Sequence, residues 1–292
     1  MKIISANTNG IRSAGRKGFF DWLEKQDADV VCIQETKAQV NQLEDPMYHP
    51  GFSYYHDAVK KGYSGVALYC KKEPDEVIVG MGNEEFDFEG RYIEARFGNL
   101  SVVSLYMPSG SAKEERQQAK YRCMDHFLPL EKTAQHETMQ GVDLKELSGQ
   151  QSEDTSFAQP GKTFLIQQMI DSGRDYIICG DWNIAHKNED IKNWKGNKKN
   201  SGFLPEERAW LDVLFNDYKF VDAFREIEQE EHTYTWWSNR GQAYANNTGW
   251  RIDYHILSPS LKGTVEKTEV YKGEKFSDHA PLIIDYQGIS ID

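Results

Sequence analysis

The chain has 292 residues, of which 39% are hydrophobic and 12% aromatic, and this is enough for one large domain or two small ones. Its formal net charge of −12 argues against nucleic-acid binding, because proteins of that class usually carry basic patches, although a carboxylate-rich metal site would also raise the acid count. The apolar runs are too short to span a bilayer, and residues 1–5 lack the features of a signal peptide. We therefore expect a soluble cytoplasmic protein.

Alternating apolar residues and β-branched content predict strands, and helical periodicity predicts helices between them. The strands are expected at Lys2–Ala6, Val30–Gln34, Gly65–Tyr69, Arg91–Phe97, Leu100–Tyr106, Tyr176–Gly180, Trp250–Leu257, Thr264–Tyr271 and Leu282–Tyr286. The helices are expected at Lys17–Gln26, Ala112–Leu130, Phe164–Asp171 and Pro205–Phe215. Because strands outnumber helices and occur in runs, the pattern is typical of a layered α/β sandwich rather than a simple βαβ winding.

Two segments differ in composition from the rest of the chain. Thr133–Lys162 is rich in Gln, Ser, Glu and Asp, and its residues 133–160 hold five acids and one base. We expect an exposed, mobile insertion there, with one short helix around Leu144–Leu147. Lys187–Lys199 holds five lysines and two acids, with Trp194 and asparagines between them. That composition suits contacts with phosphate groups, and it is equally compatible with a solvated loop.

The sequence offers no covalent nucleophile of a familiar kind. Its four cysteines, Cys32, Cys70, Cys123 and Cys179, are widely spaced and form no Cys-x-x-Cys pair. Two of them lie inside apolar runs, which favours buried thiols over a zinc site or a disulfide. The chain also lacks a Gly-x-Ser-x-Gly motif and a glycine-rich loop of the Walker type.

Polar side chains follow apolar strands at several points of the chain. They are Asn7 and Asn9 after KIISA, Glu35 after VVCIQ, Asp181 and Asn183 after YIICG, and Asp253, Asp278 and His279 in the last third of the sequence. Each of these alone fits a capping or turn residue. Asp278 and His279 lie in the short turn Phe276–Pro281, which can hold both side chains rigidly and leave them open to a ligand.

Taken together, these residues suit hydrolysis of a phosphodiester with the help of a hard cation. Mg²⁺ takes oxygen ligands in proteins, usually one or two carboxylates with waters and substrate phosphate. Hydrolysis itself needs a positioned water, a general base, and hydrogen-bonding groups around the developing charge. Carboxylates, amides and one imidazole at the ends of core strands can supply all of these.

The motifs resemble those of the exonuclease III family of apurinic/apyrimidinic (AP) endonucleases, within the endonuclease/exonuclease/phosphatase superfamily. They are NTNGIRS, QETK, GYSGVALY, GRYIEARF, LYMPSG, GDWNIAHKNEDIKN, GFLPEERAWLD, TYTWW, WRIDYHI and SDHAP. They occur in the family's order and cover nearly the whole chain except Thr133–Lys162. The resemblance implies a single domain over residues 1–292, folded as a four-layer α/β sandwich of two packed mixed β-sheets flanked by helices.

The resemblance also implies roles for the residues at the strand ends. Glu35 matches the principal metal carboxylate, supported by Asn7 and Asp278, and the implied metal-binding set also includes Asp181, Asn183 and His279. Asp181 matches the residue that aligns or deprotonates the attacking water, and Asn183 and Tyr106 match groups that reach the scissile phosphate. His279 matches the imidazole that donates to a phosphate oxygen, with Asp253 orienting it. The implied cofactor is Mg²⁺, with Mn²⁺ as a substitute.

The implied partner is double-stranded DNA with abasic sites or blocked 3′ ends, bound by a monomer. Six residues match positions that contact the DNA backbone: Arg12, Lys37, Tyr63, Arg91, Asn193 and Asn197. Trp237, Trp250 and Ile252 correspond to the family's apolar pocket for a flipped-out abasic sugar, with Trp236 as a buried neighbour. Such a pocket excludes a normal nucleotide by size.

The sequence departs from the family pattern in two places. Asn9 stands where some relatives carry an aspartate, which removes one ligand charge and could favour a single metal ion. The acidic segment Thr133–Lys162 is longer than the family's usual connection, and we expect it to lie away from the DNA. Two alternatives stay open: another phosphoesterase of the superfamily, and a regulator on the same scaffold that binds nucleic acid without cleaving it.

Overall fold

The computed structural model describes residues 1–111, 113–135 and 163–292. Its strands are β1 (Lys2–Asn7), β2 (Val30–Gln34), β3 (Phe52–His56), β4 (Val66–Cys70), β5 (Glu76–Val79), β6 (Tyr92–Phe97), β7 (Leu100–Tyr106), β8 (Asp175–Asp181), β9 (Val221–Asp222), β10 (Trp236–Trp237), β11 (Gly249–Trp250), β12 (Asp253–Leu257), β13 (Val265–Val270) and β14 (Leu282–Tyr286). Its α-helices are α1 (Ile11–Arg16), α2 (Phe19–Glu24), α3 (Glu84–Asp87), α4 (Glu114–Phe127), α5 (Leu165–Asp171), α6 (Trp194–Asn197) and α7 (Pro205–Asp212).

Two six-stranded sheets form the centre of the molecule. The first has the order β13-β14-β1-β2-β4-β3, and the second has the order β5-β6-β7-β8-β12-β9. Each contains one parallel pair, β1 with β2 and β7 with β8, among antiparallel neighbours, so both sheets are mixed. The short pair β10-β11 stands apart from them.

Apolar side chains fill three layers around these sheets. One buried cluster lies between the sheets and includes Ile3, Val102 and Leu282. A second packs the aromatic face of α2 against the first sheet, and a third packs α4, α5 and α7 against the second. Each sheet therefore has one apolar face against the other sheet and one apolar face under helices. The order helices, sheet, sheet, helices makes four layers of secondary structure, with an apolar cluster between each two. The predicted fold class, a four-layer α/β sandwich, is therefore confirmed.

Most of the strands and helices were predicted from the sequence, but the structure differs from the prediction in a few of them. Trp250–Leu257 was expected as one strand, but it is broken at Arg251, whose guanidinium is drawn to Asp190 and Asp222 at 2.7 Å from each. The helix expected at Pro205–Phe215 ends at Asp212 and continues as a wider π-turn. The edge strands β3 and β5 were not predicted, because half-exposed strands carry too little apolar alternation.

The insertion predicted at Thr133–Lys162 falls mostly outside the described residues, and so does its short helix at Leu144–Leu147. Its first residue is an exception, because Thr133 is buried and donates its hydroxyl to the carbonyl of Leu130. Thr133 thus belongs to the packed region rather than to an exposed segment. None of the described helices is both long and apolar enough to cross a membrane.

Candidate active site

The register of three neighbouring strands brings the central polar residues together. Asp181 ends β8, where it pairs with Tyr106 on one side and with Asp253 on the other. Asn7 ends β1 in the facing sheet, and its amide donates to Asp181 Oδ2 at 2.9 Å. The polar residues that follow the strands in sequence therefore meet at one edge of both sheets.

Asp181 is buried and firmly held at the middle of this group. It accepts hydrogen bonds from the side chain of Asn7 and from the main-chain N–H of Asn183, the latter also at 2.9 Å. Burial, helped by the nearby carboxylates of Asp253 and Glu35, raises the pKa of Asp181 to about 8 against the opposing effect of His279. A carboxylate with such a pKa can take a proton near neutral pH.

His279 and Asp253 form a buried pair beside Asp181. The Nδ1 atom of His279 lies 2.9 Å from Asp253 Oδ2, and its Nε2 lies 3.8 Å from Asp181 Oδ2. Burial works against a charged imidazole, but the Asp253 carboxylate outweighs it, and the pKa of His279 rises to about 10. With Nδ1 occupied by Asp253, the charged ring presents its Nε2–H to the cavity as a donor.

Glu35 lies on the other side of Asn7 and is surrounded by donors. Its carboxylate accepts from the Tyr106 hydroxyl at 2.7 Å and from the Asn7 amide at 3.1 Å, and Lys37 Nζ lies 2.5 Å away. Burial would raise the pKa of Glu35, but Lys37 and these hydrogen bonds lower it below its ordinary value. Glu35 is thus ionised, and the Tyr106 hydroxyl points at this carboxylate.

Asp278 completes the group from the turn before β14. It accepts from the Asn9 amide at 2.9 Å and from Trp236 Nε1 at 3.2 Å. Asn9 in turn accepts from Lys37 Nζ at 2.5 Å, so one neutral side chain links Lys37 to Asp278. An aspartate at this position would instead set two carboxylates against each other.

The backbone is strained where these residues lie. Asn9, Glu35, Lys37 and Asn183 have positive φ angles of 44°, 51°, 49° and 53°. Residues other than glycine rarely adopt this region, and such strain collects at functional sites, where surrounding contacts hold it. Here the strands hold it, because each of these residues lies just beyond a strand end.

The donor set fits a divalent cation. Glu35, Asp181 and His279 each offer a ligand atom, and these atoms lie within 4.8 Å of one another. Carboxylate oxygens are the ligands that Mg²⁺ prefers, whereas an imidazole protonated at both nitrogens cannot coordinate. The geometry thus favours the two carboxylates as ligands and His279 as a hydrogen-bond donor.

A cavity of about 920 Å³ opens above this group. Its wall includes Trp236, Trp250 and Ile252, and three basic residues lie on it, Lys113, Lys199 and Arg240. All three basic residues are exposed. Neither Lys113 nor Arg240 was predicted from the sequence. Lys113 lies among several charges at the start of α4, and Arg240 is an isolated charge in a polar loop.

A sequence model described as the endonuclease/exonuclease/phosphatase family matches residues 4–279. The chain belongs to this family. It is 37% identical to an exodeoxyribonuclease of Bacillus subtilis, covering 97% of this chain and 98% of that one. It is 34% identical to the DNA repair nuclease APEX1 of Danio rerio, and the match covers 97% of this chain and 81% of that one. The resemblance to the exonuclease III family is confirmed.

The fold recurs in solved structures of the same family. An AP endonuclease from Archaeoglobus fulgidus superposes with a TM-score of 0.73 at 24% identity, covering 98% of this chain and 99% of that one. The catalytic domain of Xenopus laevis APE2 superposes with a TM-score of 0.72 at 26% identity, and the match covers 98% of this chain and 92% of that one. The two-sheet fold is thus shared with these proteins.

The structure disagrees with the predictions for the two neighbouring tryptophans. Trp237 was expected to line the apolar pocket, but it is 1% exposed and packs beneath it against Tyr234 and Ala280. Its neighbour Trp236, expected to be buried, is the one on the cavity wall, with its ring 6.0 Å from that of Trp250. Successive residues of a strand face opposite sides, so only one of the pair can line the cavity.

Arg91 was expected to contact the DNA backbone, but it is 1% exposed. Its guanidinium bonds to Glu89 at 2.6 Å and to the carbonyl of Tyr106 at 2.9 Å, and it covers the Tyr106 ring at 4.7 Å. A third bond, from Nη2 to the Tyr63 hydroxyl at 3.2 Å, also holds the guanidinium inside the protein. In this structure Arg91 supports Tyr106 instead of reaching solvent.

The other residues predicted to contact DNA are open to solvent in varying degree. Arg12 and Asn193 are exposed, and Lys37, Tyr63 and Asn197 are partly buried. The Asn197 side chain donates to the carbonyl of Asn193 at 2.8 Å. Their role as contacts stays a prediction.

A buried ion network anchors the lysine-rich segment Lys187–Lys199 to the site. Asp190 lies 2.7 Å from both Arg251 Nε and Arg225, and it also accepts from the N–H of Lys187. Arg251 directly precedes Ile252 and Asp253, so the network joins the loop to the strand that carries the His279 partner. The loop is therefore fixed rather than merely solvated.

Asp190 should make stability depend on pH. Burial would raise its pKa, but Arg251 and Arg225 lower it to about 2, below the unfolded value of about 3.9. A lowered folded pKa stabilises the protein above the unfolded pKa, and that stabilisation is lost as the pH falls towards the folded pKa. We expect Asp190→Asn to reduce the free energy of unfolding by about 3 kcal/mol near neutral pH.

Denaturant melts of wild type and variant measure this difference. It should shrink by about 1 kcal/mol between about pH 6 and pH 3, because the wild type loses the contribution of the ionised carboxylate. Asp21→Asn, which changes an exposed carboxylate on α2, is the matched control and should leave the free energy of unfolding close to that of the wild type. A difference that stays constant with pH contradicts the role given to Asp190.

Proposed function

We propose that the protein is a DNA-repair phosphodiesterase that hydrolyses the DNA backbone 5′ to abasic sites with the help of Mg²⁺. Removal of blocking groups from 3′ ends and 3′→5′ exonuclease action are further activities of the same site. The observation that carries the proposal is the arrangement of Asp181, held by Asn7 and Asn183, beside the charged His279 at the base of the cavity. Relatives named as exodeoxyribonuclease and DNA repair nuclease support it.

The roles of the residues follow from their contacts. Glu35 and Asp181, with Asp278 and Asn7 beside them, would hold the cation, which when bound neutralises charge on the phosphate. Asp181 orients the attacking water and accepts its proton, since its raised pKa lies near working pH. His279 donates from Nε2 to a non-bridging phosphate oxygen. Asn183 lies beside it with its amide fixed to the carbonyl of Met107 at 2.9 Å.

The cavity wall explains how an abasic site would be chosen. Trp236, Trp250 and Ile252 form an apolar surface next to the hydrolytic group. Flipping a sugar out of the duplex costs the least free energy where no base has to be unstacked or unpaired. A small apolar pocket also excludes a sugar that still carries its base. Basic residues on the same cavity, such as Lys199 and Arg240, suit the flanking phosphates.

Cleavage of a labelled DNA duplex with one abasic analogue tests the proposal. We expect incision at the analogue with Mg²⁺, none with EDTA, and much slower action on an intact duplex. A soluble phosphate ester and a duplex with a 3′-phosphate complete the set of substrates. Cleavage in EDTA, or faster hydrolysis of the soluble ester than of DNA, contradicts the proposal. DNA binding without cleavage identifies a non-catalytic regulator.

Arg91 provides a separate prediction on how DNA is held. The Arg91 guanidinium supports Tyr106 inside the protein. Arg91→Met should therefore lower kcat about tenfold, which is the usual size of effect when a residue that orients a site side chain is lost. It should leave the salt dependence of DNA affinity unchanged. Affinity is measured at several salt concentrations in EDTA, with abasic duplex as the ligand.

The matched control is Arg240→Met, an exposed basic residue on the cavity wall. It should lower the slope of log affinity against log salt by about 1, as expected when one phosphate contact is lost. A similar loss of slope in Arg91→Met means that Arg91 leaves its internal contacts to bind phosphate, and the role given to it here is then wrong.

A further inference from the structure

A fully buried ion pair lies beneath the active-site cavity, outside the groups used above. Lys120 from α4 and Glu207 from α7 are both 0% exposed, and Lys120 Nζ lies 2.6 Å from Glu207 Oε1. The ammonium group has a second partner, the main-chain carbonyl of Asn183, at 2.8 Å. One lysine thus connects a helix pair to the backbone of a site residue.

Glu207 continues this connection to the cavity wall. Its Oε2 atom accepts from the main-chain N–H groups of Gly202 at 2.6 Å and Leu204 at 3.0 Å. Its Oε1 atom also accepts from the Gln117 amide at 3.1 Å. Gly202 and Leu204 both line the cavity. The carboxylate therefore fixes the loop that faces the substrate.

The two connected segments also touch each other and the pocket. The carbonyl of Gly202 accepts from the N–H of Ala185 at 2.8 Å. Gly202 has a φ of +91°, and a Cβ there would lie 3.1 Å from both the Asn183 carbonyl oxygen and the Trp250 ring. The Asn183 backbone, the Gly202 loop and the pocket tryptophan are packed without spare room, so a shift in one moves the others.

Stability alone does not account for a charged pair at this place. Replacing a buried ion pair by apolar residues of similar volume is often neutral or stabilising, and α4 and α7 already share a large apolar cluster. Asn183, in contrast, has a positive φ of 53° that the surrounding contacts must maintain. A lysine that bonds to its carbonyl holds that conformation in place.

We propose that Lys120, paired with Glu207, is a positioning residue that fixes Asn183 and the Gly202–Leu204 segment in the geometry needed for phosphodiester hydrolysis. This inference rests on the proposed function. It assigns a role to the interface of α4 and α7, whose charged residues do not contact the reacting phosphate. The pair acts through Asn183, and its removal should change turnover more than substrate binding.

The first test compares Lys120→Met with the double variant Lys120→Met/Glu207→Gln. The single change leaves a buried carboxylate without its cation. The double change removes both charges, so the variant is expected to fold. For the double variant we expect kcat on abasic duplex to fall about 10- to 100-fold, as for displaced site groups, with KM changed less than about threefold. Trp210→Phe, which disturbs α7 through its bond to the Leu128 carbonyl, should lower thermal stability and leave kcat unchanged.

Repeating the double change in an Asn183→Ala background shows whether the effect passes through Asn183. We expect its effect on kcat to shrink to less than about threefold there, because coupled residues are not additive. An effect of equal size in both backgrounds overturns the proposal.

Amide hydrogen exchange at Gly202 and Leu204 needs no substrate. It should be faster in the double variant than in wild type or Trp210→Phe, and unchanged exchange also overturns the positioning role. If the wild type fails to cut abasic DNA, the proposed function is wrong, whereas exchange still decides whether the pair holds this loop.

Discussion

Replacing Asp181 with alanine is expected to reduce kcat on abasic duplex by about 10³- to 10⁴-fold, the upper part of the range for loss of a general base. Asp181 is 1% exposed, held by two donors, and flanked in register by Tyr106 and Asp253. The neighbouring carboxylates are held elsewhere, since Asp253 is bound to His279, Glu35 to Lys37 and Asp278 to Asn9. Single-turnover kinetics with saturating Mg²⁺ measures the chemical step directly.

The matched control lies at the other end of the same strand. Asp175 begins β8 and hydrogen-bonds to Asn99 and Ser260, and it does not line the cavity. Asp175→Ala should therefore cut DNA as fast as wild type. Asp181→Asn adds a finer test, because it keeps the shape and removes the base. If the Asn variant retains more than about a tenth of wild-type activity, proton transfer to Asp181 is not needed and orientation of the water suffices.

The sequence was sufficient to predict which polar residues meet in the candidate site, and the reason is topological. Asn7 and Asp181 are the last residues of their strands, and Glu35 directly follows another. Strand ends on the same side of packed sheets converge. The pairing of Asp253 with His279 was expected from the motifs, and the structure places the two in hydrogen-bond contact. Chain order and strand polarity thus carried most of this information.

The residues that could not be predicted depend on facing and on burial. In the string TYTWW, sequence alone does not say which tryptophan faces the cavity, since β10 is only two residues long and offers no alternation to read. Arg91 matches a surface position by motif, yet Glu89 two residues earlier draws its guanidinium inward. Lys120 lies on a helix rich in charged residues, where nothing in the pattern marks one lysine as buried.

The net charge was misleading for a related reason. A value of −12 describes the whole chain, whereas binding depends on the charge near the cavity. Lys113, Lys199 and Arg240 are exposed on the cavity itself. An acidic protein can in this way still offer exposed cations to a polyanion at one place.

The second large effect is expected from the His279–Asp253 pair. His279→Ala should reduce kcat about 10²- to 10³-fold, as does loss of one preorganised donor to a developing oxyanion. Asp253→Asn should reduce it less, about 10- to 100-fold near neutral pH, since the ring remains but loses the carboxylate that orients and charges it. Because the two act as a unit, His279→Ala/Asp253→Asn should be no slower than His279→Ala alone. His126→Ala, on α4, is the control and should leave kcat unchanged.

The pH dependence of kcat shows whether Asp253 acts by keeping the His279 ring charged or only by orienting it. Asp253 raises the pKa of His279 to about 10, so in the wild type the ring stays protonated and Nε2–H stays available through neutral pH. In Asp253→Asn the ring loses its main stabilising charge, and its pKa should fall towards the ordinary value of about 6.5. The variant should then lose kcat as the pH rises through that value, where the wild type does not. If both proteins keep the same pH profile, Asp253 acts only by orienting the ring, and the charge assigned to His279 is not what stabilises the phosphate.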